Sequence, residues 1–288
     1  MISTFTHTII SLGIGGAKPT DRLQFLKYNT LGSIHGLYAK VIFLVFKNNE
    51  SVPFLCIKTV RKAEDNFLIE NSHTHLSSLN VALEGTTLSM IFPQALYLGT
   101  YSGINYSIET GLSGRRAVHT DLGKIVRAYS EFQVQVGSIA SSVRTFDQTI
   151  KDITTTFEVD DAREFVAYAT TLDGFTEEVT HINQHGDMTF DNMFVNRNGM
   201  INVIDCEEYG TYTVAGFDLY HLLSRIGYSS YSSQKPFLDS YFKTIGVLPV
   251  TPARFFLLYI TDLIRKYPLN VGRVTSADTI ARFKNLLV

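Results

Sequence analysis

His185-Gly186-Asp187-Met188-Thr189-Phe190-Asp191-Asn192 is followed, thirteen residues after its last member, by Asp205 in Ile204-Asp205-Cys206-Glu207. The first stretch has the pattern H-x-D-x-x-x-x-N. Two short apolar runs, Met193 to Asn196 and Met200 to Ile204, lie between the two segments on either side of Arg197-Asn198-Gly199. Asn-Gly between apolar runs favours a tight hairpin, because both residues tolerate the left-handed backbone such turns require. An antiparallel hairpin returns the chain to its start. Residues 187–192 and Asp205 are therefore expected at neighbouring ends.

These residue types suit phosphoryl transfer, which needs little covalent help from protein. It needs a hydroxyl in line with the γ-phosphate and cations on the phosphate oxygens. Asp187 can accept the hydroxyl proton and orient the group. Asn192 and Asp205 offer the hard oxygens that Mg²⁺ prefers, and Mg²⁺ keeps several waters, so two protein ligands suffice. His185 is expected to brace the loop by hydrogen bonds. Asp and Asn also make ordinary turns, but a turn does not require this order, the hairpin and a second Asp together.

Around this centre the pattern is helical. Val118, Leu122, Ile125, Val126, Tyr129, Phe132 and Val136 recur every three or four residues and mark one face of a long helix. Helices are also expected over 160–172, 216–226, 235–245, 252–267 and 276–287. Upstream the chain is β-rich. Strands are expected at 23–29, 37–46, 52–60, 88–98 and 104–110, with one helix over 62–79. The change of character places a boundary between 1–110, a small β-rich lobe, and 111–288, a mainly helical lobe.

The bulk composition excludes several classes. Of 288 residues 45% are hydrophobic and 18% charged, enough for a core and against wholesale disorder. The formal net charge of −2 lacks the basic excess of a dedicated nucleic-acid binder. No apolar run approaches the ~20 residues of a membrane span. Met1 to Ala17 is mildly apolar but has no basic leader of a signal peptide. Cys56 and Cys206 form no disulfide framework and are expected as reduced thiols in a cytoplasm. His73-x-His75 and the pair His181 and His185 lack the further ligands of a zinc site.

His185 to Val195, Val203 to Glu208 and Phe217-Asp218-Leu219 resemble the aminoglycoside phosphotransferase and choline kinase superfamily. The resemblance is specific over residues 181–224 and loose elsewhere. It implies an α+β, two-lobed, protein-kinase-like fold: a small antiparallel sheet with one helix, a larger helical lobe, and ATP between them. By it Asp187 matches the catalytic base, Asn192 and Asp205 match the Mg²⁺ ligands, and Asp218 matches a buried aspartate supporting the catalytic loop. Phe54-Leu55-Cys56-Ile57-Lys58 resembles the strand whose lysine pairs with the α- and β-phosphates. Glu70, on the helix that follows, would hold Lys58, with Glu64 as the competing partner. Glu109, in Ile108 to Gly114, lies where such folds join their lobes and bind the adenine by backbone groups. Gly32 and Ser33 stand where a phosphate-covering loop is expected.

Some features depart from the family. The Gly32 to Gly36 loop matches poorly, and Gly13-Ile14-Gly15-Gly16 lacks the Lys-Ser/Thr ending of a P-loop. Asp205-Cys206-Glu207 is not Asp-Phe-Gly, and no clear Ala-Pro-Glu is present, which argues against protein substrates. Glu207 is read equally as a second metal-site carboxylate or a loop brace. The resemblance thus implies a kinase for a hydroxyl of a small polar molecule, with sugar or glycan-related, aminoglycoside-like and choline-like acceptors all open. The alternative is a non-catalytic nucleotide-binding or scaffolding protein of the same fold, motivated by the degenerate phosphate loop.

Overall fold

The alternating apolar run at 41–47 forms a strand, and its pairing partners organise the first part of the chain. The computed structural model describes residues 1–29, 40–139, 141–156, 162–266 and 276–288. In chain order the described helices are α1 (Ile2–Ser11), α2 (Asn66–Ala82), α3 (Leu122–Ile139), α4 (Phe146–Thr156), α5 (Ala162–Ala169), α6 (Phe217–Arg225), α7 (Tyr231–Thr244), α8 (Pro252–Lys266) and α9 (Ser276–Leu286). The strands are β1 (Leu23–Asn29), β2 (Val41–Lys47), β3 (Leu55–Thr59), β4 (Ala95–Tyr101), β5 (Ile104–Thr110), β6 (Arg115–Arg116), β7 (Ser141–Arg144), β8 (Val179–Ile182), β9 (Met193–Val195) and β10 (Ile201–Val203). No described helix is long and apolar enough to cross a membrane.

The chain divides into two units. The first is Met1–Ala117 together with Asp191–Glu207, and the second is Val118–Phe190 together with Glu208–Val288. The expected boundary at 110/111 thus falls at Ala117. The hairpin expected as an island in the helical lobe groups with the β-rich unit instead, because β9 pairs with β6 as well as with β10.

In the first unit, five antiparallel strands follow the order β1-β2-β3-β5-β4. Side chains alternate between faces of a sheet, so register decides which residues share a face. Val41, Phe43 and Val45 of β2, Leu55 and Ile57 of β3, and Tyr106 and Ile108 of β5 fill one core. Helix α1 covers that face. Its Phe5 ring meets Phe43 edge-on at 5.4 Å and Tyr106 at 4.9 Å, and Ile9 lies one turn further on. Burying each such side chain stabilises by about 1.5–3 kcal/mol. The mildly apolar N-terminus is therefore part of the core. Gly13 and Gly15, with φ of +62° and +63°, turn the chain from α1 toward β1, which accounts for the glycines that imitate a phosphate loop.

The opposite face carries polar groups. Ile42 pairs with Lys58 and Leu44 with Cys56 across β2 and β3, while Cys56 pairs with Glu109 across β3 and β5. Helix α2 is pinned at its start by Asn66, which donates to Gly103 O and accepts from Asn105 N, both at 2.8 Å. The strand expected over 88–98 begins only at Ala95, since Pro93 has no N–H to give to a ladder.

The Asn-Gly hairpin forms as expected, with Val195 opposite Ile201. Its turn is closed by Asn196 N donating to Met200 O at 2.9 Å. At its base Ile204 N donates to Asn192 O at 2.9 Å, so Asn192 and Asp205 emerge side by side.

In the second unit, α3 buries Leu122, Ile125, Val126, Tyr129, Phe132 and Val136, the expected stripe except Val118, which precedes the helix and is exposed. Helices α6 and α8 are buried more completely, with Phe217 to Leu223 and Arg254 to Leu258 all nearly inaccessible. Strands β7 and β8 pair antiparallel, and α4 follows β7. None of these last elements was expected, because 141–156 is polar and its buried apolar anchors are few: Phe146, Ile150 and Ile153.

Candidate active site

The candidate site residues fall into two groups, one in each unit. In the first unit the polar face of the sheet, the segment 110–112 and the base of the β9–β10 hairpin line a cavity of about 570 Å³. Tyr28, Ile42 and Leu44 supply an apolar wall. Lys58, Glu109, Asn192 and Asp205 supply the polar one. An apolar slot with a few convergent polar groups is the usual form of a small-ligand site, and this volume lies within the usual range.

Lys58 and Glu109 are only 6% and 5% exposed. Lys58 Nζ lies 3.1 Å from Glu109 Oε1 and 3.6 Å from Asp205 Oδ1. Burial alone would pull the Lys58 ammonium down, but Glu109 and Asp205 outweigh it and hold it above its ordinary value. It is a fixed cation. Cys56, beside it, is pushed up by burial first and by Glu109 next, so its thiol stays neutral.

The Lys58–Glu70 pair expected from the sequence is not formed. Glu70 is exposed on α2 and accepts from Asn105 Nδ2 at 2.6 Å, bracing the β4–β5 turn. Glu64 pairs instead with Lys62 at 3.0 Å. Glu109, expected to lend only its backbone to a nucleotide, turns its carboxylate onto Lys58. The reason is register: β3 lies between β2 and β5, so a β5 side chain on the same face is nearer than anything on α2. Gly32 and Ser33 lie outside the described residues. Glu207 forms an ion pair with Lys40, and its carbonyl accepts from His75.

Asn192 and Asp205 present an amide and a carboxylate to the cavity, a donor set that fits Mg²⁺. Among the described residues no group of three or more His, Cys, Asp or Glu is disposed to hold a metal. Mg²⁺ does not require one, because waters and substrate phosphates complete its shell.

In the second unit, the backbone before Asp187 is held from below. Asp218, at the start of α6, accepts from His185 N at 2.6 Å and Gly186 N at 2.9 Å. Burial pushes its carboxyl up, and these bonds together with His185 oppose that. A buried polar layer supports it: Tyr129 donates to Gln184, Gln184 Nε2 donates to Gln133 Oε1 at 2.6 Å, and Tyr241 donates to the same oxygen at 3.2 Å. His185 Nδ1 accepts from Asp187 N at 3.4 Å, in keeping with a bracing role.

Gly186 has φ of +92°, and a Cβ there would lie 2.5 Å from Glu208 Cβ and 2.7 Å from Glu208 O. Gly186→Ala is expected to cost about 2–5 kcal/mol from backbone strain and overpacking. Urea unfolding measures it, and a variant as stable as the parent would show that the loop can relax.

The Asp187 carboxylate is gripped at Oδ1. Arg265 Nη2 donates to it at 2.7 Å, and His221 Nε2 lies 3.7 Å away. Arg265 Nε also donates to Glu208 Oε2 at 3.1 Å, and His221 Nδ1 lies 2.5 Å from Asp262 Oδ1. Burial would raise Asp187, but His221 and Arg265 outweigh it and hold the carboxyl well below its usual range. Burial would lower His221, but Asp187 and Asp262 outweigh it and raise its imidazole. Sequence reading missed Arg265, His221 and Asp262. The signal was His221 and Asp262 set among apolar residues of two helices, where buried polar residues need partners.

No family model matches the chain, and no curated protein matches it in sequence. Solved structures do resemble it. The aminoglycoside phosphotransferase APH(3″)-Id from Streptomyces rimosus ATCC10970 is 12% identical with a TM-score of 0.52, over 94% of this chain and 99% of that one. Choline kinase LicA from Streptococcus pneumoniae is 14% identical with a TM-score of 0.50, over 99% and 97%. The ternary complex of APH(2″)-IIa with streptomycin and ATP is 17% identical with a TM-score of 0.50, over 93% and 90%. With its five-stranded antiparallel sheet and its helices, this chain has the protein-kinase-like fold of the aminoglycoside phosphotransferases and choline kinase.

Proposed function

We propose that the protein is an ATP- and Mg²⁺-dependent phosphotransferase that moves the γ-phosphate to a hydroxyl of a small polar molecule. The observation that carries this reading is the buried Lys58 ammonium, fixed by Glu109 and Asp205 on the wall of a cavity that Asn192 also lines. A permanent buried cation in an apolar-walled cavity suits a polyphosphate carrying a planar base. Tyr28, Ile42 and Leu44 would contact the base, and Lys58 the α- and β-phosphates.

Asn192 and Asp205 would hold Mg²⁺, which when bound neutralises charge on the β- and γ-phosphate oxygens. Asp187 accepts a hydrogen bond from the acceptor hydroxyl and aims its oxygen at the γ-phosphorus. As that oxygen bonds to phosphorus, the bond to the β,γ-bridging oxygen breaks, and ADP leaves with the electron pair. The hydroxyl proton passes to Asp187 and from there to solvent. Asp187 belongs to one unit and the phosphate-side groups to the other. Free thiols at Cys56 and Cys206 support a cytoplasmic location.

The test is incubation of the protein with ATP, Mg²⁺ and a panel containing an aminoglycoside, choline and free sugars, followed by ³¹P NMR for a phosphorylated product. A product is the expected result, and its absence across a broad panel removes the reading. Binding is checked separately by thermal shift. ATP with Mg²⁺ at a hundred times its dissociation constant is expected to stabilise by about 2.7 kcal/mol, and ATP with EDTA by much less. Equal shifts with and without Mg²⁺ would favour a nucleotide-binding scaffold.

A further inference from the structure

Arg265 and His221 have no part in the transfer as written above, yet both converge on one oxygen of the group that orients the acceptor. Each is braced from behind. Arg265 is forked between Asp187 Oδ1 and Glu208 Oε2, at 2.7 and 3.1 Å. His221 is wholly buried, stacked on Phe217 at 6.0 Å, and held by Asp262. Asp262 and Arg265 lie three apart on α8, and Asp218 and His221 lie three apart on α6, so each helix turns two of these groups to one face. Asp218 fixes the loop backbone, while Arg265 and His221 reach its side chain.

We propose that Arg265, braced by Glu208, and His221, braced by Asp262, are positioning residues that set the orientation of the Asp187 carboxylate toward the acceptor hydroxyl. The reference to an acceptor rests on the phosphotransferase reading, but the grip on Asp187 does not. The terminal torsion of an aspartate is broad, so a carboxylate on a loop samples many orientations unless its oxygens are tied. A misplacement of about 1 Å can cost roughly 10²-fold in rate. The Arg265 donor at 2.7 Å and the His221 ring 3.7 Å from the same oxygen restrict that freedom, and their own partners keep them from following the carboxylate if it turns.

The same contacts set the proton affinity of Asp187. The charged groups facing it are Arg265 from α8, His221 from α6, His185 from its own loop, and Glu208, with Asp262 behind His221 and Asp218 on the loop backbone. Tyr212, whose phenol burial pushes up, stands beyond Glu208 and stays neutral. His221 and Arg265 together outweigh its burial. Asp187 therefore remains ionised and takes the proton only as the new P–O bond forms, which suits a loose transition state.

The test uses the full chain as Arg265→Ala, Arg265→Lys, His221→Asn and Asp262→Asn variants, with two independent readouts. In the first, the ¹³C carboxyl resonance of Asp187, assigned by its loss in Asp187→Asn, is titrated through the acid range. Arg265→Ala and His221→Asn are expected to move its midpoint up toward the ordinary carboxylate value, and Arg265→Lys to move it less. In the second, phosphate release from ATP with Mg²⁺ is followed with water as acceptor. Arg265→Ala is expected to lower kcat by roughly 10²-fold, with KM for ATP unchanged. Lysine keeps the charge but not the fork, so it should recover the midpoint better than the rate. An Asp187 midpoint that stays put in both Arg265→Ala and His221→Asn overturns the proposal. So does a loss carried wholly by KM for ATP. If the parent protein releases no phosphate and yields no product, the phosphotransferase reading falls, and the carboxyl titration still decides whether Arg265 and His221 hold Asp187.

Discussion

Replacing Asp187 by alanine is expected to slow phosphoryl transfer by roughly 10²–10⁴-fold while leaving ATP binding nearly intact. The groups proposed to hold the nucleotide, Lys58, Asn192 and Asp205, all belong to the first unit. Asp187 belongs to the second and is proposed to act on the acceptor. The expected signature is therefore a collapse of kcat with little change in KM for ATP, the pattern of a contact made mainly in the transition state. The loop itself should survive, because its backbone is held through Asp218, and Arg265 keeps Glu208 as a partner. Circular dichroism and an unfolding curve check that point. An alanine variant turning over at the parent rate would show that another group orients the acceptor.

Lys58→Met is expected to produce the largest loss of stability, on the order of 3–5 kcal/mol. The methionine fills similar space, but Glu109, 5% exposed, then keeps a charge with no cation beside it. Removing one member of a buried pair costs much more than removing both. The double variant Lys58→Met/Glu109→Leu should therefore recover most of the stability in urea unfolding. It should recover none of the Mg²⁺-dependent thermal shift with ATP, because the phosphates have lost their cation. A single variant as stable as the parent would mean that Glu109 picks up a proton or a new partner at little cost.

The parts of the fold readable along the chain were those set by neighbours in sequence. The stripe on α3 follows from a period near 3.6, and the β9–β10 hairpin follows from Asn198-Gly199 between apolar runs. Helix α1 was harder to read, because its Phe5 and Ile9 are too few to mark a face until the sheet they cover is known. The β7–α4 segment was missed for a similar reason: its anchors are sparse among Thr, Ser and Asp.

The candidate site divides along the same line. The sequence by itself determined that Asn192 and Asp205 stand together at the base of one hairpin, because Asn198-Gly199 between two apolar runs returns the chain to its start. The resemblance carried by Phe217-Asp218-Leu219 pointed to Asp218 as a buried brace, and it is one. Only the tertiary structure decided the partners of those residues. Lys58 meets Glu109 and not Glu70 because β3 and β5 are hydrogen-bonded neighbours in a particular register, which the sequence of neither strand encodes alone. Arg265 and His221 reach Asp187, and Asp262 reaches His221, because α6 and α8 pack against each other, bringing together residues far apart in the chain. Local chemistry is written in spacing. Which charges meet is set by strand register and helix packing, and those depend on the whole of each unit's core.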